Sequence, residues 1–440
     1  DIVYNYNRYN GSAGFDEPQW KRGLIQLPIE SIEATDDYTM VVKLTQLNLY
    51  AIRDLLQHHG MWILAPDVIE QNGNYSDWRN VVGTGPYELA DYVDGSSVTH
   101  TKIPNYWGYD EKFPENRLPY YDELKALNMP EEATRLAGLR SGKVDVLTVW
   151  GGADLKSVDA AKRVQETNPE VNVYPFFTRS DNCFGLNRHL KPFDDIRVRQ
   201  AMQMAIDVKT IDMAYFKGMS MWKPMGQIGE QAGGSYLPFE EWPEELQSAY
   251  TYNPERAAAL LDEAGYPLKD GTRFKVTLTF RNIYDLGYTE IAAGYFEALG
   301  IKMDIDSVDS AGFSSRRKDI HPQGTPGNFE MISGGAGRNQ HNGHTQYSNY
   351  AVYAHPEWTA LADKVRNAPN FEERDKAAVI MDQWSLAQHY VIWGPKAPRF
   401  QVVQPWVVGF NGELKLGLVE MPHIFARLWT DWEMRGAMGN

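Results

Sequence analysis

The sequence predicts an α/β protein with more than one domain. Segments with the period of an amphipathic helix are followed by segments that alternate apolar and polar residues, and a glycine separates the two at these junctions. The chain has 440 residues, which exceeds one ordinary hydrophobic core and indicates two or three domains. Its composition, with 43% hydrophobic and 23% charged residues, is that of a globular protein.

The first elements predicted along the chain are strands. Residues 36–48 alternate apolar and polar side chains with the two-residue period of a half-buried strand. Residues 87–93 and 96–103 have strand composition and are joined by Asp94-Gly95, a dipeptide typical of a tight hairpin turn. The sequence therefore predicts a β-hairpin here.

Helix-then-strand units follow, and a later helix precedes the C-terminal part of the chain. The units lie at residues 131–147, 253–267 and 288–305. In the second unit Asn253 is the expected N-cap, Pro254 the first helical residue and Gly265 the stop signal. The later helix is predicted over Glu373–Gln388, with a buried face of Ala377, Ile380, Met381 and Trp384.

The bulk properties exclude several functional classes. The net charge of −15 would repel nucleic acid, and no compact basic stripe reverses it locally, so no nucleic-acid partner is expected. No run of about 18 apolar residues is present to span a bilayer. The single cysteine, Cys183, cannot form an internal disulfide, so stability must come from packing.

Motifs for catalysis or cofactor binding are absent from the sequence. The signatures GxSxG, HExxH and CxxC do not occur, and the glycine-rich stretch at Gly334, Gly335 and Gly337 lacks the lysine of a phosphate loop. We therefore expect no catalytic residue and no cofactor. His341 and His344 are weak metal-ligand candidates in a polar loop, where histidines are more often simply exposed.

Tryptophans offer a further kind of candidate, since their rings can cover a ligand by stacking. Most tryptophans in a protein of this kind belong to the core. Trp150 and Trp393 are the exceptions chosen as ligand contacts, because each ends an apolar strand-like run beside glycine.

Seven blocks in order resemble the family 5 extracellular solute-binding proteins of ABC importers, the group that contains dipeptide, oligopeptide and nickel binders. The blocks are GTGPY (83–87), NYWG (105–108), RLAGLRSGKVDV (135–146), GLNRHLKPFDDIRVRQAMQMAID (185–207), YNPERAAALLDEAGYP (252–267), ALGIKMDI (298–305) and VVQPWVVGF (402–410). They cover nearly the whole chain. The ordered set is far more specific than any one block.

The resemblance implies an α/β, two-lobed periplasmic-binding-protein-like fold of type II, cluster C, with a hinge and an interlobe cleft. Residues 1–178 would form the first lobe with its extra subdomain, 179–398 the second lobe, and 399–440 the return to the first lobe. The protein would capture a small solute by lobe closure and pass it to an ABC permease, making and breaking no bond. It would act as a monomer in the periplasm or outside the cell, where a lipid anchor to the cytoplasmic membrane is also compatible with the family.

Two departures from the family pattern affect the expected ligand. Relatives carry a further N-terminal segment that forms part of the first lobe, so the chain is expected to be N-terminally incomplete. Peptide-binding relatives often place a carboxylate in the stretch that here contains Arg338, and a cation favours an anionic or hydroxyl-rich ligand instead. A standard peptide-binding mode is therefore not the expectation.

The ligand-contact candidates that follow from the resemblance lie on the two crossings and in the polar loop. They are Arg179, Asp181 and Asn182 on the first crossing, Arg338 and Asn339 in the loop, and Trp393, Lys396 and Arg399 on the return. A metal-chelate binder that uses His341 and His344, a hydrolase of the same solutes, and a protein with a stable partner but no small ligand remain the alternatives.

Overall fold

The structure is a computed structural model. It describes residues 1–10, 28–49, 63–73, 75–148, 153–177, 182–226, 228–318, 330–333, 355–413 and 421–438. The chain divides into two compact units. Unit 1 comprises Asp1–Leu155, Asp159–Phe176 and Phe400–Asn440, and unit 2 comprises Lys156–Val158 and Phe177–Arg399. Both units combine helices with sheets, which confirms the predicted α/β class.

Unit 1 contains several small sheets with helices around them. Its helices are α1 (Ile2–Asn10), α2 (Pro66–Asn72), α3 (Glu132–Arg140), α4 (Val158–Thr167), α13 (Met421–Arg427) and α14 (Trp432–Ala437). Its strands are β1 (Ile29–Ala34), β2 (Met40–Leu44), β3 (Tyr87–Val93), β4 (Ser97–Lys102), β5 (Glu123–Leu127), β6 (Val146–Leu147), β7 (Asn172–Phe177), β13 (Pro398–Val403), β14 (Val407–Val408) and β15 (Trp429–Thr430). The sheet orders are β1-β2, β3-β4-β5, β6-β13-β7 and β14-β15.

The predicted hairpin in unit 1 is confirmed. Strands β3 and β4 pair antiparallel, with Val93 opposite Ser97 at the turn. Gly95 has φ = 66°, a left-handed conformation that glycine adopts without a steric penalty. The strand predicted in residues 36–48 is also present as β2, which pairs with β1.

Unit 2 is built around one mixed sheet flanked by helices. Its helices are α5 (Ile196–Met204), α6 (Val208–Ala214), α7 (Glu244–Ala249), α8 (Pro254–Glu263), α9 (Leu286–Ala298), α10 (Ser310–Lys318), α11 (Pro356–Arg366) and α12 (Phe371–Ala387). Its strands are β8 (Cys183–Leu186), β9 (Phe274–Arg281), β10 (Ile301–Val308), β11 (Met331–Ser333) and β12 (Val391–Trp393). They form a five-stranded sheet in the order β10-β9-β11-β8-β12.

Helix α8 forms as its sequence signals predict. The Asn253 side chain accepts a hydrogen bond from the backbone N–H of Arg256, Pro254 is the first helical residue, and Gly265 follows the helix with φ = 89°. Each end of the helix therefore has a local partner for backbone groups that the helix itself cannot satisfy.

The predicted buried face of α12 is partly wrong. Met381 is fully buried, but Ile380 is 58% exposed. The buried residues are instead Arg374, Ala378, Met381, Asp382, Ser385 and Leu386. Polar residues lie on that face because unit 2 supplies buried partners for them: Arg374, for example, donates a hydrogen bond to the Ser235 hydroxyl. A prediction from apolar periodicity alone therefore selects a different side of the helix from the one that is buried.

Two large apolar clusters and a small one around Phe313 and Ile332 lie within the described residues of unit 2. One includes Phe184 and Leu186 on β8 and Leu278 and Phe280 on β9, and the other is centred on Trp242 and neighbouring aromatic residues. Within the part of the chain that the structure describes, no helix is long and apolar enough to cross a bilayer.

Candidate functional site

The carboxyl ends of four strands meet at one edge of the sheet in unit 2. Strands β10, β9 and β11 are parallel, and β11 and β12 both run antiparallel to β8 between them. The last residues of these four strands, Arg281, Val308, Ser333 and Trp393, therefore lie at the same edge as Cys183, the first residue of β8. We call this the carboxyl edge.

The carboxyl edge contains a topological switch point between β9 and β11, where the connections leave towards opposite sides of the sheet. These two strands are neighbours, but after β9 the chain goes on to β10 on one side, and after β11 it goes on to β12 on the other. In open α/β sheets, ligands bind outside the carboxyl ends of the strands at such a switch point. The topology therefore selects the ends of β9 and β11 as the place to look for a binding site.

Arg281 and Ser333 meet at this switch point. Val276, Leu278 and Phe280 of β9 are buried, which fixes the strand, and Arg281 follows them as its half-buried last residue. The Ser333 hydroxyl is buried and accepts a hydrogen bond from the Arg281 backbone N–H at 2.9 Å. The last backbone pair between β9 and β11 is Thr279 with Ile332. Beyond this pair, the Ser333 side chain connects the two strand ends.

The Arg281 guanidinium is held by a hydroxyl and two aromatic rings. Its Nε and Nη2 donate to Ser310 Oγ at 3.2 and 3.0 Å. Its Cζ lies 6.0 Å from the ring centre of Tyr284 and 5.7 Å from that of Phe313. Cation–π contacts at this range orient a guanidinium without neutralising its charge.

The first crossing reaches the carboxyl edge through Asn182, one of the predicted ligand contacts. Asn182 is buried, its side-chain amide donates to Pro395 O at 3.1 Å, and its carbonyl accepts from the Gly394 N–H at 2.8 Å. In the structure, Asn182 therefore ties the start of β8 to the segment that follows β12.

Tyr288 packs against Gly394, next to these hydrogen bonds. A Cβ atom at position 394 would overlap the Tyr288 hydroxyl and the Asn182 carbonyl, so glycine is required there. Tyr288 is fully buried, and its hydroxyl has no hydrogen-bond partner among the described residues. Burial raises the pKa of Tyr288 well above the ordinary tyrosine value, so this side chain remains a neutral phenol.

Trp393 is placed in the hydrophobic core of unit 2, at the end of the edge strand β12. It is buried in the cluster that contains Cys183 and Tyr390. Its backbone N–H donates to Gln203 Oε1 at 2.8 Å, and its carbonyl accepts from Gln203 Nε2 at 3.1 Å. A helix side chain thereby satisfies both polar backbone groups of the last residue in β12.

Lys396 and Arg399 follow on the return segment. Lys396 is buried, and its backbone pairs with Met221 through hydrogen bonds of 2.9 and 3.1 Å. Arg399 is half-buried in β13. Asn182 is thus hydrogen-bonded to the segment between Trp393 and Lys396. The role of these three residues as ligand contacts stays a prediction.

Seven of the predicted candidates lie outside the described residues. They are Trp150, Arg179, Asp181, Arg338, Asn339, His341 and His344. Among the residues that the structure does describe, no group of three or more His, Cys, Asp or Glu side chains could hold a metal ion.

Sequence analysis missed Arg281, Ser310 and Ser333. The only sequence signal for Arg281 is that it ends the alternating run FKVTLTFR, just before a turn and a helix. Ser310 is the first residue of α10, just after β10, and Ser333 ends β11, so only the strand order brings the three residues together.

Comparisons with known proteins agree with this architecture. A profile for bacterial extracellular solute-binding proteins, family 5 (middle region), matches residues 1–356. Heme-binding protein A of Haemophilus influenzae is 26% identical over 434 residues, 91% of this chain and 73% of the relative. The periplasmic oligopeptide-binding protein OppA of the same organism is 26% identical over 408 residues, 87% of this chain and 68% of the relative.

The chain spans only part of these relatives' length. For a putative ABC transporter peptide-binding protein of Brucella ovis, the alignment covers 54% of the relative. Among solved structures, the periplasmic binding protein DppA from Helicobacter pylori in complex with the peptide STSA is similar. It has a TM-score of 0.72 at 18% identity, and the match covers 98% of this chain and 80% of that one. This similarity shows that the fold is shared.

Proposed function

This chain belongs to the bacterial extracellular solute-binding proteins of family 5, and we propose that it captures a small polar solute outside the cytoplasm for an ABC importer. The observation that carries the proposal is the family match over residues 1–356. The carboxyl edge of unit 2 supports it, because its topology and polar residues suit ligand binding. The permease of the importer is the proposed membrane partner.

The solute class follows only partly from the relatives. The names of the two relatives refer to heme and to oligopeptides, and the solved DppA structure contains a peptide. We propose a peptide-like or other polar organic solute. Within unit 2, the proposed contacts are Asn182, Trp393, Lys396 and Arg399, together with the candidates that lie outside the described residues.

The family consists of solute-binding proteins, and we propose that this member also releases its solute chemically unchanged. It would act as a monomer in the periplasm or at the outer face of the cytoplasmic membrane, free or held by a lipid anchor. Binding would stabilise the folded protein in proportion to the logarithm of the free solute concentration. This linkage makes thermal stability a direct readout of capture.

Native mass spectrometry of the protein as purified is the test. We expect a complex with one small molecule, which denaturation releases for identification, and which raises the melting temperature when added back. Incubation followed by analysis of the recovered solute separates binding from hydrolysis. Conversion of the solute, or no binding to any member of a peptide, sugar and metal-chelate panel, would contradict the proposed function.

A further inference from the structure

We propose that Arg281 anchors an anionic group of the solute, a carboxylate or a phosphate, at the carboxyl edge of unit 2. The proposal rests on the proposed function and adds the chemistry of one ligand group. Its basis is a guanidinium at the switch point whose charge is not neutralised by a described carboxylate, surrounded by groups that fix its orientation.

The contacts of Arg281 leave part of its hydrogen-bonding fork available. Ser310 Oγ receives both Nε and Nη2, at 3.2 and 3.0 Å, and no described residue accepts from Nη1. The rings of Tyr284 and Phe313 hold the guanidinium and meet each other edge to face, at 6.4 Å between centroids. A guanidinium oriented in advance loses less entropy when it binds an oxyanion.

The described acidic side chains just after β9 and β10, Asp285 and Asp309, have other partners. Asp285 Oδ1 accepts hydrogen bonds from the Tyr288 N–H at 3.1 Å and from the Tyr215 hydroxyl at 2.8 Å, which caps α9. Asp309 Oδ1 accepts from the Gly312 N–H at 2.7 Å, in the first turn of α10. Both carboxylates therefore cap helix starts, and neither accepts a hydrogen bond from Arg281.

Other arginines of unit 2 have acidic partners or backbone partners; Arg199, for example, is buried and donates to the Gln388 and Phe193 carbonyls. Arg197 pairs with Asp195, Arg273 with Asp262, and Arg316 with Asp306. In a chain with a net charge of −15, acidic partners are plentiful. Among the described residues, Arg281 has no acidic partner and no acceptor for Nη1, so this part of the fork can pair with an anion that arrives with a ligand.

A second cation lies at the same loop. Lys156 belongs to unit 2, and its Nζ donates to Ile283 O at 2.7 Å, two residues beyond Arg281. The oriented guanidinium fork of Arg281 suits an oxyanion better than an ammonium or a neutral group.

The test compares Arg281→Gln with Arg256→Gln in the full chain. Arg256 is an exposed arginine paired with Glu263 at 2.7 Å on α8, so both substitutions change the net charge equally. The probes are succinate, inorganic phosphate and neutral succinamide at constant ionic strength, with binding measured by calorimetry and thermal shift. Arg281→Lys tests whether the planar fork is needed.

We expect one of the two anions, but not succinamide, to bind the native protein and the Arg256→Gln variant equally. Arg281→Gln should weaken that anion about 10-fold or more, which corresponds to about 1.4 kcal/mol, and Arg281→Lys should weaken it less. Succinate as the stronger probe indicates a carboxylate ligand, and phosphate indicates a phosphorylated one. Equal binding by both Gln variants, equal binding of succinamide, or no anion binding at all would overturn the proposal.

The two proposals fail in distinguishable ways. A solute that native mass spectrometry finds on the native protein and on Arg281→Gln with equal affinity would leave solute capture standing and remove Arg281 from it. Anion binding that depends on Arg281 in a protein that captures no solute would instead contradict the proposed function and retain the anion site.

Discussion

The hydroxyl of Tyr288 shows how closely the interior of unit 2 is packed around the crossing segments. It lies against Gly394, where a Cβ atom would overlap it, and it has no hydrogen-bond partner among the described residues. A buried hydroxyl without a partner costs about 1–3 kcal/mol of desolvation that no bond offsets. The ring itself stacks on Phe184 at 5.9 Å and contributes packing.

We therefore expect Tyr288→Phe to raise the free energy of unfolding by about 1 kcal/mol, because it removes the unpaired hydroxyl and keeps the ring. Tyr250→Phe is the matched control: Tyr250 is also buried in unit 2, but its hydroxyl donates to Leu386 O at 2.9 Å. The control should lose about 1 kcal/mol. Urea unfolding measures both, and an equal loss in the two variants would show that the Tyr288 hydroxyl has a partner in solution.

At the scale of elements, the local signals and the non-local ones differ in what they predict. Helix α8 follows from Asn253, Pro254 and Gly265, because caps and stop signals act within a few residues. The exposed position of Ile380 does not follow from the sequence of α12, because Arg374 is buried on the other side, where it donates to Ser235 from elsewhere in unit 2. Periodicity therefore predicts that a helix forms more reliably than it predicts which side is covered.

The candidate site was predictable only in part for the same reason. Asn182, Trp393 and Lys396 came from a family resemblance that marks the crossings. Arg281 and Ser333 lie together because β9 and β11 are neighbours, and that pairing is fixed by strand order and not by any motif. A switch point is a property of the sheet, so single-sequence patterns do not contain it.

A helix side chain satisfies the backbone N–H and carbonyl of Trp393 on the outer edge of β12. Gln203 on α5 both donates to and accepts from the Trp393 backbone, and all of these groups are buried. Gln203→Leu should therefore lower the free energy of unfolding by about 2–4 kcal/mol, since it leaves a buried N–H and a buried carbonyl unpaired. Urea unfolding followed by tryptophan fluorescence measures the change.

Gln247→Leu is the control for this substitution. Gln247 Nε2 likewise makes two hydrogen bonds to the backbone, to the carbonyls of Glu240 and Trp242, but Gln247 is half-buried, so water can replace these bonds. Its loss should cost less than about 1 kcal/mol. A similar cost for both substitutions would mean that the Gln203 contacts add little to the stability of the β12 edge.

At the scale of the whole molecule, the two units differ in how the chain builds them. Unit 2 is formed almost entirely by the continuous stretch Phe177–Arg399, whereas unit 1 takes segments from both ends of the chain. In unit 1, Thr148 Oγ1 donates to Gln401 Oε1 at 2.7 Å across 253 residues of sequence. Strand β13 is also the central strand between β6 and β7, so that sheet needs residues from beyond unit 2.

This asymmetry predicts different behaviour for two fragments. Residues 177–399 contain the complete five-stranded sheet and the two large apolar clusters of unit 2, and Asn182 is hydrogen-bonded to Gly394 and Pro395 near the opposite end of the fragment. We expect this fragment to fold alone, with one cooperative urea transition. Residues 1–176 lack β13, which leaves β6 and β7 without the strand that joins them, so this fragment should show no cooperative transition when followed by circular dichroism. A folded 1–176 fragment would mean that its hairpins and helices are stable without the sheet, and an unfolded 177–399 fragment would mean that the core of unit 2 depends on the rest of the chain.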